Sequence, residues 1–131
     1  MASSSPAHDR ADAMNDQEHP RPGRYFGPSG PITWAFLDAE EEAEQLAELT
    51  KWVDWLRWRF ALENRTVPEC WAQHGPVVEE LSALYTAWQA SYAYSNDGAA
   101  PLQWMTQFAF ARQRLSDWNT RSGCRPGEHR P

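Results

Sequence analysis

Three runs of apolar residues recur at intervals of three and four, and turn-forming residues separate them. Leu46, Leu49, Val53, Leu56 and Phe60 make the first run, with Trp52 and Trp55 widening it. Val77, Leu81, Leu84 and Trp88 make the second, flanked by Val78, Tyr85 and Tyr92. Trp104, Phe108, Ala111, Leu115 and Trp118 make the third. A 3-4-3-4 spacing puts every member on one face of a helix with 3.6 residues per turn, whereas a strand would need alternation by two. No strand-period pattern competes. The expected fold is therefore all-α, a three-helix up-down-up bundle in which each stripe turns inward against the other two.

The boundaries are written in local chemistry. Asp38 can cap the first helix while Glu41, three positions on, closes a capping box; the stripe then predicts a helix to about Leu62. Between Glu63 and Gly75 the periodicity fails. Pro68 and Gly75 bracket Glu69-Cys70-Trp71-Ala72-Gln73-His74, which predicts a short extra helical turn between helices 1 and 2. Pro76 fits the first position of helix 2, Ser95-Asn96-Asp97-Gly98 is a turn, Pro101 opens helix 3 and Gly123 stops it.

Residues 1–30 are rich in Ser, Ala, Asp, Pro and Gly and carry almost no aliphatic side chains. Such a segment buries too little apolar surface to offset its ordering entropy, so a disordered N-terminal arm is expected there, with the helical bundle domain over 31–131. His8 and His19 fall in the arm without neighbouring ligands and read as solvated. The eight Trp, five Phe and four Tyr all lie beyond Arg24, which gives a short domain enough large side chains for a core.

Net charge is -6, which disfavours a general binder of nucleic acid or anionic membrane. The acidity is local: Asp38, Glu40, Glu41, Glu42, Glu44 and Glu48 crowd the start of helix 1, where the dipole stabilises them and outward positions form a solvated face. Glu79 and Glu80 at the start of helix 2 have the same explanation. No apolar run approaches the ~20 residues needed to span a bilayer, and no secretory signal opens the chain; no membrane association and a cytoplasmic location are expected. The sequon Asn64-Arg65-Thr66 is then a chance match.

One constellation carries chemistry. Cys70 is followed by His74, and Cys124 by His129, so each cysteine has a histidine four or five positions on. Thiolate and imidazole are the preferred zinc ligands. An up-down-up topology brings the segments after helices 1 and 3 to the same end, where Cys70, His74, Cys124 and His129 could hold one structural zinc ion. The plainer reading makes Cys70 a small buried residue beside Trp71, His74 a helix-end residue and the tail after Gly123 frayed. A Cys70–Cys124 disulfide ranks below both in a reducing compartment.

Phosphate loops, nucleophile elbows and His-Glu-x-x-His helices are missing, so a non-enzymatic function is expected. A small cysteine-dependent enzyme built on Cys70 and His74 lacks an evident third, orienting group. Arg112, Arg114, Arg121, Arg125 and Arg130 could touch phosphates in a DNA-associated accessory protein, though basic residues also complement a helix C-terminus. Trp34, Trp58 and Trp71 fall off the stripes. They either anchor a protein partner or homo-oligomer, or pack the loops and the segment Tyr25, Phe26, Trp34, Phe36 onto the bundle. Trp34, Trp58, Arg112 and Arg114 are the candidate partner-binding residues.

The order Trp52-x2-Trp55-Leu56-x2-Arg59, Pro68-x-Cys70-Trp71-x2-His74, Val78-Glu79-Glu80-Leu81-Ser82-Ala83-Leu84, Trp104-x3-Phe108, Arg112-x-Arg114-Leu115-x2-Trp118 and Gly123-Cys124-x4-His129 resembles a family of small uncharacterised actinobacterial proteins. The likeness covers about Leu46 to His129. Members are often encoded in plasmid, phage or integrative conjugative elements, so the resemblance implies a mobile-element accessory role. It supplies no catalytic residues. Eleven Arg against the single Lys51 suit a GC-rich genome of that kind.

Overall fold

The computed structural model describes residues 31–93 and 95–124. The expected disordered arm over 1–30 and the candidate ligand His129 lie outside the described residues. Three helices form: α1 (Ala39–Arg59), α2 (Gly75–Tyr92) and α3 (Ala100–Ser122). Single 3-10 turns cover Trp34–Phe36 and Trp71–Gln73. No strand occurs among the described residues, and none of their helices is long and apolar enough to cross a membrane.

The capping chemistry works as the sequence suggests. Asp38 Oδ1 accepts from the Glu41 amide at 2.8 Å and Glu41 Oε1 accepts from the Asp38 amide at 3.0 Å, a complete capping box. Pro76 sits in the first turn of α2. The turn into α3 is built by side chains, with Ser95 Oγ accepting from the Asp97 amide and Asp97 Oδ1 accepting from the Ala99 amide.

One boundary differs. The first stripe predicts a helix to about Leu62, but α1 ends at Arg59 and Ala61 takes a left-handed conformation with φ 53°. The Leu62 amide donates to the Arg57 carbonyl at 2.9 Å and the Ala61 amide to that of Trp58 at 3.4 Å. This pair of bonds is the Schellman stop, in which the left-handed position is usually glycine. Leu62 folds inward as the hydrophobic residue that seals such a stop, and it is buried. Apolar spacing continued past the helix because Leu62 serves the core from the turn.

Packing is less symmetrical than three equal stripes imply. The backbones of α2 and α3 run closest together, and α1 is held off by large rings. Trp52 of α1 is fully buried at 0% exposure; it stacks on Tyr85 of α2 at 4.9 Å and meets Trp104 of α3 edge-on at 6.5 Å. Phe60 meets Phe108 at 4.8 Å. Trp104 donates its indole N–H to the Leu84 carbonyl at 3.1 Å, which satisfies its polar edge inside the core. Arg114 clamps Glu80 through two 2.8 Å bonds and ties α3 to α2 at the surface.

The solvated acidic face needs one amendment. Asp38, Glu40, Glu41, Glu42 and Glu44 are exposed, but Glu48 is buried and pairs with Lys51 at 3.3 Å. Glu48 directly precedes the fully buried Leu49, and its position on α1 puts it under cover beside that residue.

Candidate metal centre

The connection from α1 to α2 has no helical periodicity, yet it is firmly placed. Val67 and Trp71 are buried in the main core. Asn119 of α3 donates from its side-chain amide to the carbonyls of Asn64 at 3.2 Å and Arg65 at 2.7 Å. Thr66 and Ser116 place their hydroxyls 3.4 Å apart. Backbone bonds from Trp71 to Pro68, Gln73 to Cys70 and His74 to Trp71 then wind residues 68–74 into a tight turn. A buried amide carrying two loop carbonyls is an anchor that no apolar pattern announces.

That turn presents Cys70 and His74 on one side, and α3 delivers a third donor to the same point. Gly123 has φ 75°, a conformation glycine reaches without a Cβ penalty. The helix ends there and Cys124 follows, its amide donating to Ser122 Oγ at 3.2 Å. The three donor atoms form a near-equilateral triangle: Cys70 Sγ to Cys124 Sγ is 3.4 Å, Cys70 Sγ to His74 Nε2 is 3.4 Å, and Cys124 Sγ to His74 Nε2 is 3.3 Å. Cys70 and His74 are half-buried and Cys124 is buried. Neither cysteine is in a disulfide.

The expected meeting of the two cysteine-bearing segments at one end of the bundle is therefore present, and three of the four anticipated ligands are together. They could hold a metal ion. Tetrahedral zinc, with Zn–S near ~2.3 Å and Zn–N near ~2.0 Å, would separate its donors by about 3.5–3.8 Å. The observed edges are shorter by a few tenths of an ångström, a gap that side-chain rotation can open.

Comparison with models of known protein families, with curated proteins and with solved structures finds no match for this chain. The site rests on its own geometry. Burial pushes the Cys70 thiol above its ordinary value, and the bond to Cys124 and that residue's charge push the same way. An activated nucleophilic cysteine shows the opposite shift. A cation among the three donors would reverse it by stabilising the thiolate.

The remaining candidates are scattered. Trp34 is half-buried against the core, Trp71 belongs to it, and Trp58 is 67% exposed on α1. Arg114 is occupied by Glu80. Arg112 lies over the Phe108 ring at 5.6 Å and lines an open cleft with Arg65 and Gln113. They sit on different elements: Trp34 on the first 3-10 turn, Trp58 on α1, and Arg112 and Arg114 on α3.

Proposed function

We propose that this protein is a non-enzymatic helical interaction module whose Cys70, His74 and Cys124 hold a structural zinc ion. The convergence of two thiols and an imidazole within 3.4 Å carries the reading. Soft sulfur donors with one imidazole select zinc over the hard cations, which prefer oxygen. The ion would tie the connection between α1 and α2 to the end of α3, and His129, five residues beyond Cys124, is the proposed fourth ligand. A structural staple of this kind suits a domain of about 95 residues with a single small core.

The interaction half of the proposal draws support from apolar side chains left outside that core. Trp58 on α1, and Leu102 and Phe110 on α3, are 67%, 68% and 63% exposed. Large apolar side chains at the surface can serve as anchors for a protein partner or a second copy. Cytoplasmic residence and an accessory role on a mobile element are proposed from the sequence alone.

The experiment is elemental analysis of protein purified without added metal. Near-stoichiometric zinc is expected, falling to background in Cys124→Ser. Metal-free wild-type protein that also fails to take up added zinc would refute the site.

A further inference from the structure

The triangle of donors is also a dithiol. Cys70 Sγ and Cys124 Sγ stand 3.4 Å apart, and a disulfide needs about 2.05 Å. The gap is therefore about 1.4 Å, shared between two side chains. Neither cysteine lies inside an α-helix: Cys70 precedes the 3-10 turn Trp71–Gln73 and Cys124 follows the left-handed Gly123. Small rotations there disturb no α-helical hydrogen bond.

Access divides the roles. Cys70 is half-exposed and Cys124 is buried, so an oxidant from solvent meets Cys70 first. His74 Nε2 stands 3.4 Å from one sulfur and 3.3 Å from the other, within reach of the proton that either thiol gives up. An oxidised Cys70 would face a second sulfur already in place, which is the arrangement that turns a sulfenic acid into a disulfide before further oxidation.

We propose that Cys70 and Cys124 form a redox-modifiable pair, closed to an intramolecular disulfide by hydrogen peroxide when no metal is bound. The sulfur of Cys70 attacks one peroxide oxygen, the O–O bond breaks, and the departing hydroxide takes the thiol proton by way of His74 and leaves as water. The sulfur of Cys124 then attacks the sulfenic sulfur, the S–O bond breaks, and the leaving hydroxide takes the Cys124 proton as a second water. The two sulfurs have lost two electrons, and hydrogen peroxide has been reduced to two waters. Bound zinc would occupy both sulfur lone pairs and slow the first attack. That protection rests on the zinc reading above, whereas the pairing itself does not.

The test treats chelator-stripped and zinc-loaded full-length protein with hydrogen peroxide. It follows free thiols, intact mass and zinc released to a colorimetric chelator. Stripped protein is expected to fall from two titratable thiols to none, to become lighter by two hydrogens, and to yield a peptide joining Cys70 to Cys124. Zinc-loaded protein is expected to react at least tenfold more slowly and to release its ion as the thiols disappear. Cys124→Ser protein should instead gain oxygen at Cys70; Cys70→Ser, which alters the more exposed partner, should lose the cross-link without oxygen gain at the buried Cys124. Oxygen gain without a cross-link in stripped wild type, or cross-links only between chains, overturns the pairing. A cross-link in a protein that never takes up zinc overturns the zinc reading and leaves the pairing standing, and zinc binding without a cross-link does the reverse.

Discussion

The middle of the bundle is buried and its clasped pole only half-buried, and the two are held by different physics. Around Trp52 the helices meet through rings of Tyr85, Trp88, Trp104 and Phe108, a contact that is non-directional and scales with area. At the pole, placement depends on a few oriented atoms: the Asn119 amide, the hydroxyls of Thr66 and Ser116, and three soft donors. Area is robust to small displacements. Directional contacts are not, so the pole should be the part whose order depends on conditions while the middle persists.

The steepest way to break this contrast is to hollow out the middle. Trp52→Ala removes a fully buried ring that bridges all three helices, and such truncations cost about 3–5 kcal/mol. That is a large share of the roughly 5–15 kcal/mol by which a domain is stable. Urea unfolding followed by circular dichroism should show a much earlier midpoint; a loss below about 1 kcal/mol would mean that the aromatic cluster is not what holds the helices together.

Metal comes next. An ion held only by the folded chain stabilises it by about 2.7 kcal/mol at a free concentration a hundredfold above its dissociation constant. Thermal unfolding with zinc and with chelator should differ accordingly, and the difference should vanish in His74→Ala. The pH dependence should differ too. In the metal-free protein the Cys70 thiol is pushed above 9.0, so its contribution to stability is complete below that value and is lost as pH rises through the shifted one. With zinc present the ligand protons are already displaced and stability should fall toward acid instead.

The two regions also differ in how far the sequence discloses them. Leu49, Val53, Leu56, Leu81, Leu84, Trp104, Phe108, Ala111 and Leu115 are buried on the faces that their spacing assigned, because helix periodicity projects directly onto burial. The capping box at Asp38 and the stop at Gly123 were equally legible, since each is a local contact between residues four or fewer apart. The meeting of Cys70, His74 and Cys124 followed from counting helices: two passes, down α2 and back along α3, return the chain to the end where α1 finishes. What spacing could not show was the connection itself. Val67 and Leu62 are buried without periodicity, and Asn119 was hidden because a polar residue on the inward edge of α3 has no signature until the loop it supports is seen. Glu48 was misjudged for the converse reason, a charged residue drawn under cover by its place on α1. Trp71 as a core residue was one of two open readings.

Asn119 offers a sharper probe of the pole than any apolar residue. Replacing it with Ala leaves the carbonyls of Asn64 and Arg65 without their donor, and at this half-buried site each lost bond costs about 0.5–1.5 kcal/mol. Because the same loop leads into Cys70, the change should also weaken zinc retention. A double-mutant cycle with Cys124→Ser should therefore be non-additive by at least about 0.5 kcal/mol, whereas a cycle of Asn119→Ala with Trp52→Ala should be closer to additive. Equal coupling in both cycles would erase the distinction between the two regions.

The smallest effect is expected where the two regions join. Ala61 ends α1 with φ 53°, a conformation that crowds its Cβ against the following carbonyl and costs about 1 kcal/mol for a residue other than glycine. Ala61→Gly removes the crowding but adds unfolded-state entropy, leaving a net gain of about 0.5 kcal/mol. The gain should appear as a raised unfolding midpoint with an unchanged denaturant slope, because only the stop between Arg57 and Leu62 is relaxed and no surface is newly buried. Since that stop sets where the chain leaves the aromatic middle for the pole, zinc content should be the same in variant and wild type; a change in it would show that the turn at Ala61, and not the Asn119 anchor, positions Cys70.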